Sequence, residues 1–230
     1  AFGISVSRTL LQTVFSVFCT SMLAYALSRK EFVLKKPLTS ILVVSMYVSA
    51  GIIPNYMLIK NLGLLNNYMV YIIPNLVDVF NFILVRTYIN GLPDSFVESA
   101  RIDGANEFKI FLEIIMPLIV PSIAMICLFV AVGSWNSWFD TYLYASARPK
   151  LYSLQYVLMQ FLNSSQNQSN SAADANSMAV AAASGSTSAM VTPISLRSSI
   201  TVIATLPILV VYPFMQKYFI VGMTIGGVKE

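Results

Sequence analysis

The chain has 230 residues, of which 57% are hydrophobic and 10% are charged, and its formal net charge is +4. Soluble domains carry about 25% charged residues, so this composition excludes an ordinary soluble domain and predicts an all-α bundle of membrane spans. The basic residues separate apolar runs and do not cluster with aromatic residues, so we expect a lipid bilayer and no nucleic acid as partner. The chain has no histidine, the commonest metal ligand and general base, so we expect neither a metal site nor a catalytic site.

The first two predicted spans are joined by a basic loop. Residues 5–27 are long enough to cross a bilayer core, which requires about 20 residues. The second span, residues 38–58, contains Gly51 and Pro54, which predict a kink near the outer face. Four cations in the short loop between the spans place that loop in the cytoplasm: Arg29, Lys30, Lys35 and Lys36.

The third predicted span, residues 68–88, contains three polar side chains. Asn75, Asp78 and Asn81 are spaced three residues apart, which predicts that they lie along one side of a helix. A carboxylate inside a membrane span is costly, so these residues should face the bundle or a wet cavity. Two interpretations stay open: a latch of hydrogen bonds between helices, with Arg86 or a Ser or Thr of a neighbouring span as partner, or the lining of a translocation path.

The loop at residues 91–117 is amphipathic and rich in charge. Asp94 or Ser95 can cap a short helix, and Ser95 with Glu98 has the spacing of a capping box. Gly104 then stands where a helix would end through a left-handed residue, and Asn106 can cap a second helix. The pattern predicts two helices separated by a glycine, which is typical of a docking element.

The fourth predicted span, residues 114–144, ends in a segment rich in aromatic residues. This segment is either an aromatic belt at the membrane interface or a rim that contacts a sugar, because aromatic faces stack on pyranose rings and amides or carboxylates bond their hydroxyls. The candidate residues are Trp135, Asn136, Trp138 and Asp140.

The chain then predicts an external loop and a last span. Residues 147–195 are rich in Asn, Ser, Gln and Ala, and their alanine-rich part, 172–183, could form a helix when packed. We interpret this long loop as a contact surface for an external partner, with a flexible linker as the alternative. Residues 196–218 form the last predicted span.

At residues 98–117 the chain resembles the EAA loop of permease subunits of bacterial ABC importers. Glu98, Ser99 and Ala100 are followed four positions later by Gly104, and after nine more residues by Ile114–Pro117. Ser99 replaces an alanine and Met116 a leucine of the family pattern. Other segments, AYALSRKEF, LGLLN, WNSWFD and GMTIGGVKE, resemble the MalG-type branch for carbohydrate uptake, and within it the LplC/YtcP-like permeases.

The resemblance implies a fold, a set of partners and a set of site residues. It implies a single type I permease domain over residues 1–230, with about five spans present of six and one further span before Ala1. It also implies a second homologous permease, two ATPase subunits that bind ATP and Mg²⁺, and an extracytoplasmic solute-binding protein in a bacterial cytoplasmic membrane. The residues implied to transmit ATPase movement are Glu98, Ser99, Ala100, Asp103, Gly104 and Pro117.

The implied function is alternating-access import of an oligosaccharide or polysaccharide fragment. The sequence contains no phosphate loop of the form G-x-x-x-x-G-K-[ST], so nucleotide hydrolysis by that route must occur in another subunit. Two alternatives remain at this stage: an ion-coupled secondary transporter that uses Asp78, and an ABC permease for a solute other than a sugar.

Overall fold

A computed structural model describes residues 1–169, 198–199, 201–202, 204–207 and 209. The regular elements in these ranges are helices, with no strand among them, so the all-α prediction is confirmed. The helix α1, Phe2–Ser28, has 27 residues and is apolar enough to cross a membrane in one piece. It confirms the first predicted span.

The second predicted span is divided into two helices. These are α2, Lys35–Tyr47, and α3, Ile52–Asn61. The break falls at Gly51, whose φ of +86° is accessible mainly to glycine, so the predicted interruption is correct there. Pro54 lies in the first turn of α3 and does not break it, because the amide hydrogens of a first turn have no helical acceptor. No residue of α2 is buried in this chain, which leaves its apolar side chains for lipid or another subunit.

The third predicted span is bent, and the prediction that its polar residues share one side of a helix is wrong. Two short 3₁₀ helices, Tyr68–Tyr71 and Ile73–Asn75, precede α4, Val79–Asn90, and the bend between the two parts is 45°. Asn75 ends the second 3₁₀ helix, whereas Asp78 is the N-cap of α4. The short side chain of Asp78 bonds the backbone locally, which favours a helix start over a continuous helix.

The fourth predicted span is likewise not one helix. Residues Glu107–Leu118 and α8, Val120–Asn136, meet at a bend of 83°, and α9, Phe139–Tyr144, follows. The first part consists of α6, Glu107–Ile110, a π-helical turn and α7, Met116–Leu118. Pro117 has no amide hydrogen to bond the carbonyl four residues earlier, which accounts for the wider π turn before it.

The number of membrane spans depends on whether each bent pair of helices is counted as one span. In the described part of the chain, one helix meets the criteria for a span, or up to three if each bent pair is one span. Of the predicted loop at residues 147–195, the structure describes a 3₁₀ turn, Pro149–Leu151, and α10, Leu154–Ser169. The predicted alanine-rich helix at 172–183 and most of the last span at 196–218 lie outside the described residues.

The helix α1 is the centre of the bundle. It makes its most extensive contacts with α4 and α8, and the main core forms where these helices meet α5, Ser95–Ile102, and the segment after it. Among the most completely buried apolar residues of this core are Ala24, Leu27, Phe82, Val85, Ile110, Phe111, Ile115 and Ile126. The loop at residues 91–117 is therefore packed onto the C-terminal end of α1.

Candidate functional site

The helix α5 begins after Asp94, but not through the predicted capping box. Asp94 is the N-cap residue, yet its side chain makes no capping hydrogen bond. Its carboxylate instead bonds Lys30 Nζ at 2.5 Å, and this hydrogen bond holds the pKa of Asp94 below its usual range. Ser95 is already inside the helix, so the predicted pairing of Ser95 with Glu98 is wrong. The Asp94 side chain therefore bonds Lys30, 64 positions away, instead of capping its own helix.

The turn after α5 is as the sequence predicts. Gly104 has a φ of +79°, and its N–H donates to the carbonyl of Arg101 at 3.0 Å while that of Ala105 donates to the carbonyl of Ala100 at 3.0 Å. These two bonds define a Schellman motif, which ends a helix through a left-handed residue. Asn106 then caps the next helix, because its Oδ1 accepts from the Lys109 N–H at 2.8 Å.

One face of α5 is packed and the opposite face is open. Val97 and Ala100 are buried in the core of this chain, and the small size of Ala100 allows α5 to lie close to its own bundle. The side chain of Ile102 is 86% exposed and that of Phe96 is 45% exposed. The other exposed positions of the predicted docking surface are Glu98, Ser99, Asp103, Gly104 and Pro117.

A second set of residues at α5 was not predicted from the sequence. Arg101 contacts the carboxylate of Glu31 with both terminal nitrogens, one pair of atoms being 2.7 Å apart. It also contacts Glu107 Oε1 through Nε at 2.9 Å and Nη2 at 2.7 Å, and Glu107 Oε2 accepts from the Tyr25 hydroxyl at 2.6 Å. The sequence did offer one signal for this set of contacts, because Arg101 is the only cation within α5.

The two carboxylates that contact Arg101, Glu31 and Glu107, have lowered pKa values. The hydrogen bond from Arg101 lowers the pKa of Glu31. Partial burial opposes a lowered pKa at Glu107, but the hydrogen bonds from Tyr25 and Arg101 outweigh it. Because these pKa values are lowered, the pairs are fully charged at neutral pH and their contribution is lost only as the pH falls through the lowered values.

A polar cavity of about 550 Å³ lies between α1, the segment before α4, and α8. It brings together the three polar residues of the third predicted span and Asp140, although they are not on one helix. One stripe along α1, at spacings of four residues, was not predicted: Arg8, Gln12 and Ser16. The remaining polar lining residues are Asn75, Asp78, Asn81, Ser134, Ser137 and Asp140.

Arg8 links α1 to α9 at the wall of this cavity. Its side chain is only 1% exposed, and its Nη2 donates to Asp140 Oδ2 at 3.0 Å. The guanidinium also lies 4.5 Å from the ring centre of Tyr71, within the range of a cation–π contact. A buried arginine in a membrane span requires such partners. The sequence signal for it was that Arg8 is the single charged residue in a 27-residue helix.

Asp78 is engaged with the backbone rather than with Arg86. Its Oδ1 accepts from the Asn81 N–H at 2.8 Å, which caps α4, and no ion pair joins Asp78 to Arg86 in the described part of the chain. The side chain of Asp78 is nevertheless exposed at the cavity. The latch that the sequence suggested with Arg86 as a partner is therefore not formed among these residues.

Replacing Asp78 with asparagine is expected to have a small effect on solute uptake. Asparagine caps a helix about as well as aspartate, whereas Asp78→Ala removes the cap at a cost of about 1 kcal/mol. Uptake by Asp78→Asn and Asp78→Ala should be measured in membrane vesicles from about pH 6 to pH 8, a range that lies above the ordinary titration of carboxylates near about pH 4. A large loss in Asp78→Asn together with a changed pH profile would instead indicate ion coupling through this carboxylate.

The aromatic segment does not form one continuous rim. Trp135 is buried, and its Nε1 donates to the carbonyl of Ala204 at 2.9 Å, so it packs inside the bundle. Asn136 is exposed and accepts from Gln155 Nε2 at 3.4 Å. Trp138 packs with Tyr142 at a ring separation of 6.1 Å, and both line a second cavity of about 540 Å³ beside α10.

Comparisons with known proteins agree with the resemblance to permeases of bacterial ABC importers. The family model described as "Binding-protein-dependent transport system inner membrane component" matches residues 9–224. The chain is 38% identical over 226 residues to the polygalacturonan/rhamnogalacturonan transport system permease protein YtcP of Bacillus subtilis (strain 168), covering 98% of this chain and 75% of that protein. It is also 38% identical over 229 residues to protein LplC of the same organism, covering 99% of this chain and 73% of LplC.

A solved structure is similar over most of the chain. It belongs to a bacterial ABC transporter involved in the import of the acidic polysaccharide alginate. The TM-score is 0.75 at 31% sequence identity, and the match covers 95% of this chain and 75% of that one.

Proposed function

The chain belongs to the family of binding-protein-dependent transport system inner membrane components, and from this premise we propose that it is the permease subunit of an ATP-driven importer of oligosaccharides or polysaccharide fragments. The protein lies in the cytoplasmic membrane as a multi-pass subunit. The observation that carries the proposal is α5, a short helix with one buried and one exposed face, ended by a left-handed glycine. This form suits docking against another protein on the cytoplasmic side.

The energy for transport enters through α5. An ATPase subunit contacts its exposed face, which includes Glu98, Ser99 and Asp103, and ATP with Mg²⁺ binds to that partner. The exposed apolar side chains of Phe96 and Ile102 supply the apolar area that an interface core requires. Gly104 fixes the direction in which the chain leaves the docking helix, and Pro117 marks the start of the next span.

A second permease completes the path. Asn75 and Asp78 line the polar cavity yet are exposed on this chain. A carboxylate that faced lipid from a membrane span would cost about 3 kcal/mol. A homologous subunit packed against this side would cover both residues and close the cavity into a path with hydrogen-bonding groups suited to sugar hydroxyls.

Sugar contacts at the outer end fit Trp138 better than Trp135. Trp138 lies at a cavity with Tyr142, Tyr156 and Gln160, which combines aromatic faces with an amide as sugar sites do. Trp135 is buried and already bonded to a carbonyl, so its role is packing. Asn136 and Asp140 stay candidates for contact with a passing sugar, and Asp140 would make that contact while paired with Arg8.

The substrate class is tested by reconstitution. The complete complex in proteoliposomes should take up oligogalacturonides or alginate oligosaccharides when ATP and the cognate binding protein are present. Uptake of a neutral glucan oligosaccharide by the same complex should be measured for comparison. Uptake that continues without ATP, or in response to an ion gradient alone, would contradict the proposal.

Shortening the external loop tests the contact with the binding protein. Removal of residues 170–195 is expected to abolish stimulation of ATP hydrolysis by the binding protein while basal hydrolysis persists, because α5 is on the other side of the membrane. ATPase rates with and without binding protein measure this directly. Unchanged stimulation would identify the segment as a linker.

A further inference from the structure

We propose that Arg101 is a positioning residue that ties the docking helix α5 to the cytoplasmic end of α1, so that a displacement of α5 moves α1 with it. We call Arg101, Glu31, Glu107 and Tyr25 the Arg101 clamp. The inference rests on the proposed function, since it assumes that an ATPase moves α5, but it assigns a role to residues outside the EAA-type pattern.

The clamp connects three parts of the chain through one guanidinium. Tyr25 lies in the last turns of α1, Glu31 follows that helix, and Glu107 opens the helix after the Gly104 turn. Arg101 faces Glu31 with two parallel contacts and Glu107 with two more. Tyr25 then bonds the second oxygen of Glu107 at 2.6 Å. Both sides of the turn are thus fixed to the end of α1.

The geometry requires arginine. Two-point contact with a carboxylate uses the planar fork of a guanidinium, which a lysine ammonium cannot reproduce. Arg101 makes such a contact with Glu31 while its Nε still bonds Glu107. A lysine at this position would keep the charge and lose the fixed orientation.

Through α1, the Arg101 clamp is connected to the polar cavity. The helix α1 packs against α4 and α8, and its other half carries Arg8, Gln12 and Ser16 on the wall of the polar cavity. A rigid connection at the cytoplasmic end of α1 therefore links the docking surface to a wall of the cavity. Such a connection is the element that a coupling mechanism requires.

The clamp is not needed to hold the fold. Its side chains are partly exposed, 35% for Arg101, 64% for Glu31 and 51% for Glu107, and exposed ion pairs contribute little to folding stability. The helix α5 is already anchored by the buried Val97 and Ala100. Loss of the clamp should therefore change how α5 transmits movement and leave the fold intact.

The test measures sugar transported per ATP hydrolysed in the complete complex in proteoliposomes, with oligogalacturonide as the probe. Arg101→Lys and Glu31→Gln are expected to lower this ratio about fivefold, within the range produced by mutations along a coupling network. ATPase co-purification and the melting temperature of the complex should not change.

Lys109→Gln is the matched control. Lys109 pairs with Glu113 at 3.8 Å within the same helical segment, so it connects no separate elements and its loss should leave the ratio unchanged. An unchanged ratio in both Arg101→Lys and Glu31→Gln would overturn the proposal, as would loss of ATPase binding, which would make Arg101 part of the docking surface. A wild-type complex that hydrolyses ATP but moves none of the oligosaccharides would contradict the proposed function itself.

Discussion

Gly104→Arg is expected to abolish solute uptake and to weaken association with the ATPase, while the protein still inserts into the membrane. At a φ of +79°, any residue with a Cβ is strained, by about 1–2 kcal/mol for most L-residues. A Cβ at this position meets no atom within 4 Å, so the chain can still fold. The defect arises because the Schellman turn is distorted and a long cation enters the docking surface. Uptake, ATPase co-purification and protease protection in membranes measure the three parts of this result.

Two further variants separate the effect of the distorted turn from the effect of the added cation. Gly104→Asn should retain much of the uptake, because asparagine tolerates the left-handed conformation better than other residues. Gly63→Arg is the matched control, since Gly63 has a φ of +68° and equally open surroundings but lies in the turn after α3. ATPase association should survive in Gly63→Arg. Retained uptake in Gly104→Arg would refute the docking role of this turn.

Arg8→Met is expected to lower the stability of the protein substantially. It leaves the carboxylate of Asp140 without its cation and removes the contact with the Tyr71 ring. Removal of one partner from a buried pair costs about 3–5 kcal/mol, and we expect the lower end because the Asp140 side chain is 27% exposed. The melting temperature of the complex in mild detergent should fall accordingly.

A double variant shows whether the unpaired carboxylate is the cause. Asp140→Asn added to Arg8→Met removes the uncompensated charge and should recover most of the lost melting temperature. Lys109→Met removes the exposed pair with Glu113 and should have little effect. Equal melting temperatures for Arg8→Met and wild type would mean that the buried pair does not stabilise the bundle.

Local features of the fold could be predicted from the sequence because neighbouring residues decide them. The helix at Phe2–Ser28 follows from a long apolar run, and the left-handed Gly104 and the Asn106 cap follow from residues within one turn of each. The kink at Gly51 follows from the same local rule. The residues of the docking loop belong to this class, which is why their pattern was informative.

Other features depend on residues far apart in the chain. The pairing of Arg8 with Asp140 spans 132 positions, and Asp94 leaves its local cap for Lys30, 64 positions away. The division of the third and fourth predicted spans also escaped prediction. Apolar periodicity alone does not distinguish a straight helix from two helices joined at a bend. The polar residues of the cavity were identified by type, but their arrangement depends on these bends.

The most direct test is purification of the full-length protein from its own membranes in mild detergent, with every co-purifying chain identified and quantified. We expect two ATPase subunits and a second, homologous permease for each copy of this chain, and release of the ATPase by Gly104→Arg but not by Gly63→Arg. A protein that purifies alone, or only with copies of itself, would contradict the proposed function, because α5 would then have no subunit to receive energy from.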